Sequence, residues 1–159
     1  LLFQAGRTIS STVEWTTQPN CTGYRVELLD SNGSKLWSAE TAKTSQKLPL
    51  EPGRKYQVRL VSIKQHEMLD KTEDGASITY PIELLKTDEA TKFESQIRVL
   101  SGLKPNTLSS DHLVAISQLL EAGLYGSVLP VLENQTEVVG VAELSNRIQR
   151  AIYSQRIAP

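Results

Sequence analysis

The sequence of 159 residues is poor in the side chains that most often carry reactive chemistry. Its single cysteine, Cys21, excludes an intramolecular disulfide and a cysteine-rich metal site. Its two histidines, His66 and His112, do not lie at metal-ligand spacing from another plausible ligand. No Gly-x-Gly-x-x-Gly motif or phosphate-binding loop occurs. We therefore expect no metal, no cofactor and no catalytic residue, and the chain is predicted not to be an enzyme.

The sequence also lacks an excess of charge of one sign and long runs of apolar residues. The net charge is −1, from 17 Lys and Arg against 18 Asp and Glu, and it is spread evenly along the chain. A phosphate backbone requires a basic excess, so nucleic acid is not expected as a partner. There is no run of about eighteen apolar residues that could span a bilayer. The composition, with 39% hydrophobic and 22% charged residues, is that of a globular chain with room for two small domains.

Residues 8–83 carry an apolar period of two, which is typical of strands with one buried face. The alternating residues form three sets: Val13 and Trp15; Tyr24, Val26 and Leu28; and Tyr56, Val58 and Leu60. The pairs Asn32-Gly33 and Pro52-Gly53 lie between the sets and favour tight turns. Residues 64–75 are polar and predict a long solvated loop. The pattern predicts an antiparallel β-sandwich over residues 1–83.

One spacing in this half is specific: Leu-x-Pro-Gly-x-x-Tyr-x-Val over residues 50–58. With Trp15 and Gly23-Tyr24-Arg25-Val26 before it, this pattern resembles a fibronectin type III (Ig-like) domain over about residues 8–83. The resemblance implies that the hydroxyl of Tyr56 bonds back to the upstream backbone and that Trp15 lies between the sheets. The predicted structural core is Trp15, Tyr24, Val26, Tyr56, Val58 and Leu60. The first strand of such a domain would have to lie on residues 1–4.

After Pro81 the apolar period changes to 3.6 residues, which predicts helices. We expect four, over about residues 88–101, from Ser109 or Ser110 to Gly123, over 125–134 and over 137–156. Proline is unfavourable in a helix interior, so Pro130 moves the expected start of the third helix toward Ser127. The sequence thus predicts an α+β fold in two segregated parts, with an all-α unit of three to four helices over residues 84–159.

Residues 119–133, LLEAGLYGSVLPVLE, resemble the turn of a tetratricopeptide hairpin near residues 109–134. There one helix ends in a small residue and a glycine, an aromatic residue such as Tyr125 follows, and a second helix packs back. A sandwich followed by such helices resembles modular bacterial envelope proteins, which implies protein binding or scaffolding in the periplasm or outside the cell. The chain begins without methionine, and we expect it to be a fragment of a larger protein.

Four residues are candidate contacts for a protein partner: Trp37, Tyr125, and His66 and Met68 of the polar loop. Trp37 faces solvent if Leu36 faces the core, and is otherwise an edge or core residue. An exposed Trp37 also supports a second hypothesis, an adhesin or carbohydrate-binding module that acts through the sandwich. An enzyme is the third hypothesis. The sequence does not fix the identity of the partner or the oligomeric state.

Overall fold

The computed structural model describes residues 2–65 and 72–157. Within these residues all the strands precede all the helices along the chain. The strands are β1 (Gly6–Thr8), β2 (Thr12–Glu14), β3 (Gly23–Leu29), β4 (Lys35–Thr41), β5 (Ser45–Lys47), β6 (Lys55–Gln65) and β7 (Thr72–Leu84). The helices are α1 (Thr87–Ser101), α2 (Ser110–Glu121), α3 (Tyr125–Glu133) and α4 (Val141–Ser154). The predicted order, strands followed by four helices, is confirmed.

The strands in the described part of the chain form two sheets. One has five strands in the order β1-β7-β6-β3-β4, and the other pairs β2 with β5. Every pair is antiparallel except β1 with β7, which is parallel. The prediction of purely antiparallel pairing is therefore wrong at this edge. The reason is a crossing: Leu2 lies opposite Trp15 beside β2, and the chain then moves across to β7 at Gly6.

Both sheets contribute to one cluster of buried side chains. Trp15, just after β2, packs edge-on against Tyr24 of β3, with the ring centroids 5.4 Å apart. The six residues that the sequence assigns to the core all lie in this cluster, each at most 7% exposed: Trp15, Tyr24, Val26, Tyr56, Val58 and Leu60. The Tyr56 hydroxyl accepts a hydrogen bond from the backbone N–H of Glu51 at 3.3 Å. This bond fixes the loop before β6 to the core.

The other face of the larger sheet carries paired charges. On β3, Glu27 alternates with the core residue Val26 and so points to the opposite face. Its carboxylate is nearly buried and lies within 4 Å of three cations, at 3.7 Å from Arg25, 3.4 Å from Lys35 and 3.3 Å from Arg59. Such a carboxylate is stable away from water because its charge is compensated on several sides.

The hairpin of β6 and β7 is longer than the sequence predicts. Lys64 lies opposite Glu73, so the strands extend into both ends of the segment over residues 64–75 that was predicted to be a solvated loop. That prediction is wrong at those ends, because cross-strand pairing resumes beyond an irregularity between Val61 and Ile63. The predicted contacts His66 and Met68 lie outside the described residues.

The predicted start is confirmed for α3 and wrong for α4. α3 begins at Tyr125, as the predicted range of about 125–134 has it, and not at the later alternative near Ser127. Pro130 sits inside it, and its missing N–H removes one bond, to the carbonyl of Gly126, without ending the helix. α4 begins at Val141 rather than near residue 137, because Gly140 has a positive φ of 85° that no regular helix contains.

Residues 2–8, which we call the N-terminal segment, connect the sheets to the helices. Gly126 of α3 lies so close to Phe3 that a Cβ at this glycine would collide with the Phe3 carbonyl oxygen. Arg7 donates to the carbonyl of Ala122 at 3.1 Å and pairs with Glu89 of α1 at 3.2 Å. Buried residues of the sheets and of the helices belong to one continuous cluster. The helices are therefore packed onto the sheets rather than tethered to them.

The contact at Gly126 can be tested with Gly126→Ala. We expect a loss of about 1–3 kcal/mol in the free energy of unfolding, because a methyl group there forces α3 away from the backbone of Phe3. Gly102→Ala is the matched control, since its added Cβ would lie at an ordinary 3.6 Å from the Arg98 carbonyl oxygen. Urea unfolding measures both variants. Equal stability of Gly126→Ala and the wild type would show that this contact is not tight.

The hydrogen bond of Tyr56 gives a second prediction. Tyr56→Phe removes the acceptor of the Glu51 N–H and is expected to lower the free energy of unfolding by about 1 kcal/mol. Tyr153→Phe, at a tyrosine that is 52% exposed, should change the stability by less than about 0.5 kcal/mol. Both values come from the midpoint and slope of urea unfolding. If the two substitutions cost the same, the Tyr56 bond does not hold the loop.

Candidate functional site

A groove with a volume of about 520 Å³ lies where the N-terminal segment meets the last helix. We call it the α4 groove, and its lining residues are Phe3, Thr16, Glu133, Asn146, Gln149, Arg150 and Tyr153. Of these, only Phe3 is half-buried, and the others are exposed. The groove is therefore open to a ligand as large as a segment of another chain.

The sequence of α4 places four of these residues on one side of the helix. Gln149 and Arg150 lie three and four positions after Asn146, and Tyr153 lies four and three positions after them, so the four follow one another along the helix surface. Ile152, on the other side, is buried in the common core. Burial of the apolar side thus fixes which side of α4 faces the groove.

The C-terminal end of the groove is held in place by backbone and aromatic contacts. The N–H of Ile157 donates to the carbonyl of Thr79 on β7 at 2.9 Å, which ties the chain after α4 to the large sheet. The guanidinium carbon of Arg156 lies 3.4 Å from the centroid of the Tyr153 ring. This cation–π contact orders a ring that is 52% exposed.

The lining of the groove carries one charge of each sign, Arg150 and Glu133, and further arginines lie beside it along the chain. Arg7, Arg25, Arg54 and Arg59 all form ion pairs. Arg147, Arg150 and Arg156 form none with the residues that the structure describes. Glu143 is the only acidic residue between positions 141 and 157. The guanidinium groups of Arg147 and Arg150 are thus available to an anionic ligand, whereas that of Arg156 stacks on Tyr153 and donates to its carbonyl.

The predicted partner contacts do not meet in this groove. Trp37 is half-buried and packs against the common core, whereas Leu36 is 47% exposed. Trp37 therefore faces the core and Leu36 faces solvent, which is the edge or core alternative for Trp37. The cause is the register of β4: Trp37 lies opposite the core residue Leu28, and Leu36 is left out of the pairing because the next pair is Leu29 with Lys35. Tyr125 is half-buried at the start of α3 and also packs against the core.

The sequence pattern did not predict that the residues of the α4 groove form a site. The polar row of α4 is visible as an amphipathic pattern, but a solvated helix face has the same pattern. The opposite wall comes from Phe3 and Thr16, more than 100 positions away. The presence of three arginines in ten residues, between positions 147 and 156, is the one local signal that could have indicated a site.

Two other cavities have polar groups that bond within the chain. A cavity of about 260 Å³ between α1 and α3 is lined in part by Gln135. The Gln135 amide is fully buried, accepts from the N–H groups of Thr107 and Leu108 at 2.8 and 3.0 Å, and donates to the Lys104 carbonyl at 2.8 Å. A crevice of about 400 Å³ lies beside Cys21, whose thiol donates to a backbone carbonyl at 3.2 Å. Neither arrangement directs a free polar group at a ligand.

Tyr80 of β7, fully buried, is close enough to the end of α4 to respond to Arg156 and Tyr153. Burial raises the pKa of the Tyr80 phenol above its ordinary value, and the charge of Arg156 opposes the shift. The unfolded chain ionises this group near pH 10, at the ordinary pKa of tyrosine, whereas the folded chain keeps the proton. The stability that this group contributes is therefore fully present below about pH 10 and is lost as the pH rises through the raised pKa.

We expect Tyr80→Phe to reduce the loss of stability with rising pH above about pH 10. Part of the slope should remain, because burial also raises the pKa of Tyr24. Urea midpoints measured from about pH 8 to 11, together with tyrosinate absorbance, report the effect. An unchanged slope for Tyr80→Phe would show that another group controls the alkaline transition.

Three further observations bear on the class of protein. None of the helices described is long and apolar enough to cross a membrane. Across residues 2–65 and 72–157, there is no group of three histidine, cysteine, aspartate or glutamate side chains that could hold a metal ion. Compared with protein-family models, with curated proteins and with solved structures, the chain matches none of them.

Proposed function

We propose that this chain is a protein-interaction and scaffolding part of a larger bacterial envelope protein, and that it binds its partner without catalysis. The observation that carries the proposal is the α4 groove. Its aromatic residues Phe3 and Tyr153 are combined with an arginine, two amides and a carboxylate. Tyrosine and arginine are, with tryptophan, the residues enriched among those that dominate protein interfaces, because they combine large contact areas with directed polar groups.

The proposed architecture is a fibronectin type III-like β-sandwich joined to tetratricopeptide-like helices. Two features of the sheets support it: both sheets contribute to one core around Trp15, and the Tyr56 hydroxyl bonds to the upstream Glu51 backbone. On the helical side, the pairing of α2 and α3 around the turn at Gly123 supports a hairpin. The sandwich then serves as a rigid support that holds one wall of the groove.

Binding of carbohydrate through the sandwich is the alternative that depends on Trp37. A stacking platform needs an aromatic face that is open to solvent. Trp37 is half-buried against the core, whereas Tyr153 in the α4 groove is 52% exposed. The groove is therefore the better candidate contact surface. A glycan array probed with the wild type and with Trp37→Ala compares the two hypotheses, since binding that is lost in Trp37→Ala would favour the sandwich.

A display library of random peptides, selected on the immobilised chain, tests the proposal. We expect the wild type to enrich related peptides and the double variant Arg150→Ala/Tyr153→Ala to bind them at least about tenfold more weakly, because truncation of two anchors costs more than about 1.4 kcal/mol. Arg98→Ala/Leu113→Ala, which truncates an exposed arginine and an exposed apolar residue on α1 and α2, is the matched control and should bind as the wild type does.

Urea unfolding of both double variants establishes that they are folded before binding is compared. Selection that yields no enriched peptide on the wild type would contradict the proposal. So would enriched peptides that bind the Arg150→Ala/Tyr153→Ala variant as tightly as the wild type, because the binding surface would then lie elsewhere.

A further inference from the structure

Resting on the proposed function of the α4 groove, we propose that its partner is an extended acidic peptide segment. A carboxylate of the segment pairs with Arg150, and an apolar side chain beside it inserts between Phe3 and Tyr153. Three features carry this inference: the arginines along α4 that lack an ion pair with a described residue, the spacing of the lining residues along α4, and the mixture of polar groups in the walls.

The charge identifies the sign of the partner. Arg150 lines the groove, Arg147 is one turn before it on the helix, and Arg156 stacks on the Tyr153 ring at 3.4 Å. None of the three forms an ion pair within the described ranges 2–65 and 72–157. A guanidinium group presents two parallel N–H donors that match the two oxygens of a carboxylate. An anionic partner therefore gains directed hydrogen bonds here as well as general attraction.

The spacing fits a short stretch of extended backbone. From Asn146 to Tyr153 the helix rises by about 10 Å, at 1.5 Å per residue. An extended peptide advances about 3.3 Å per residue, so about three residues lie along the groove. The side chains of Asn146 and Gln149 each offer a donor and an acceptor, as a peptide group does. They can therefore pair with the backbone of the segment while Arg150 takes its carboxylate.

The mixture of charges favours a peptide over a polyanion. Glu133 lies in the wall of the same groove, and its carboxylate repels phosphate or sulfate groups that are closely spaced along a chain. A peptide carries N–H groups that Glu133 can accept and places its carboxylates on separate side chains. Phe3 and Tyr153 add an apolar contact, which inorganic phosphate does not use.

Fluorescence anisotropy with labelled peptides tests the inference. The probe carries the core Glu-Leu-Asp between Gly-Ser flanks, and the matched probe carries Gln-Leu-Asn. We expect the acidic probe to bind about tenfold more tightly than the neutral one, and the difference to shrink as salt is added. Arg150→Gln should abolish the difference, whereas Arg98→Gln, at an exposed arginine of α1, should keep it.

The apolar part of the inference has its own pair of measurements. To the wild type, a probe with the core Glu-Gly-Asp should bind about tenfold more weakly than the probe with Glu-Leu-Asp. To the Tyr153→Ala variant, the two probes should bind with equal affinity. Sedimentation of the unlabelled chain monitors self-association, in which an acidic segment of a second copy would occupy the groove. If the chain forms a dimer and Arg150→Gln dissociates it, the second copy is the occupant of the groove, and the inference of a separate peptide partner is wrong.

The results separate this inference from the proposed function. If library peptides require Arg150 and Tyr153 but the acidic and neutral probes bind equally, the acidic class is wrong and the groove still binds protein. If inorganic phosphate or a sulfated oligosaccharide binds in an Arg150-dependent manner and more tightly than the acidic probe, the peptide is the wrong occupant. If the wild type enriches no library peptide and binds no probe, both proposals fail.

Discussion

The position of the N-terminal segment between the sheets and the helices is the constraint on which the other contacts depend. Along one side, its backbone is hydrogen-bonded to the sheet region: the Phe3 N–H donates to the Glu14 carbonyl at 2.9 Å, and the Thr8 carbonyl accepts from the Leu85 N–H at 2.8 Å. On the other side, Gly126 of α3 rests directly on the backbone of Phe3. Backbone against backbone leaves no flexible side chain to absorb a displacement, so the helices keep one position relative to the sheets.

This constraint also explains why the α4 groove has a defined shape although its walls are distant in sequence. β1 of the N-terminal segment pairs with β7 next to Ile82, and the chain after α4 bonds to Thr79 of the same strand. Both walls are thus attached to one strand, a few residues apart. A groove that is ordered before its partner arrives costs less conformational entropy on binding than one assembled from mobile parts.

The parts of this fold that repeat along the chain could be predicted from the sequence, and the parts that depend on a single residue or on distant contacts could not. Alternation around Tyr24 and Tyr56 indicated strands with one buried face, and the change of period after Pro81 indicated four helices. One bulged residue, Leu36, puts Lys35 and Trp37 on opposite faces of the sheet, although they are two positions apart. No periodic pattern reveals such a bulge. The placement of Phe3 and Tyr153 in the same groove has no sequence signal either, because it is set by tertiary packing.

The net charge of −1 conceals two different local arrangements of charged side chains. Around Glu27, three cations compensate a nearly buried carboxylate, and folding itself requires them there. Along α4, Arg147 and Arg150 are exposed and three positions apart, where two like charges destabilise a helix slightly rather than support it. Arg156 caps the end of α4 by donating its Nε–H to the Tyr153 carbonyl at 3.2 Å. Arg147 and Arg150 form no ion pair with any residue that the structure describes. Carboxylates from the proposed acidic segment would compensate Arg147 and Arg150, as three cations of the fold compensate Glu27.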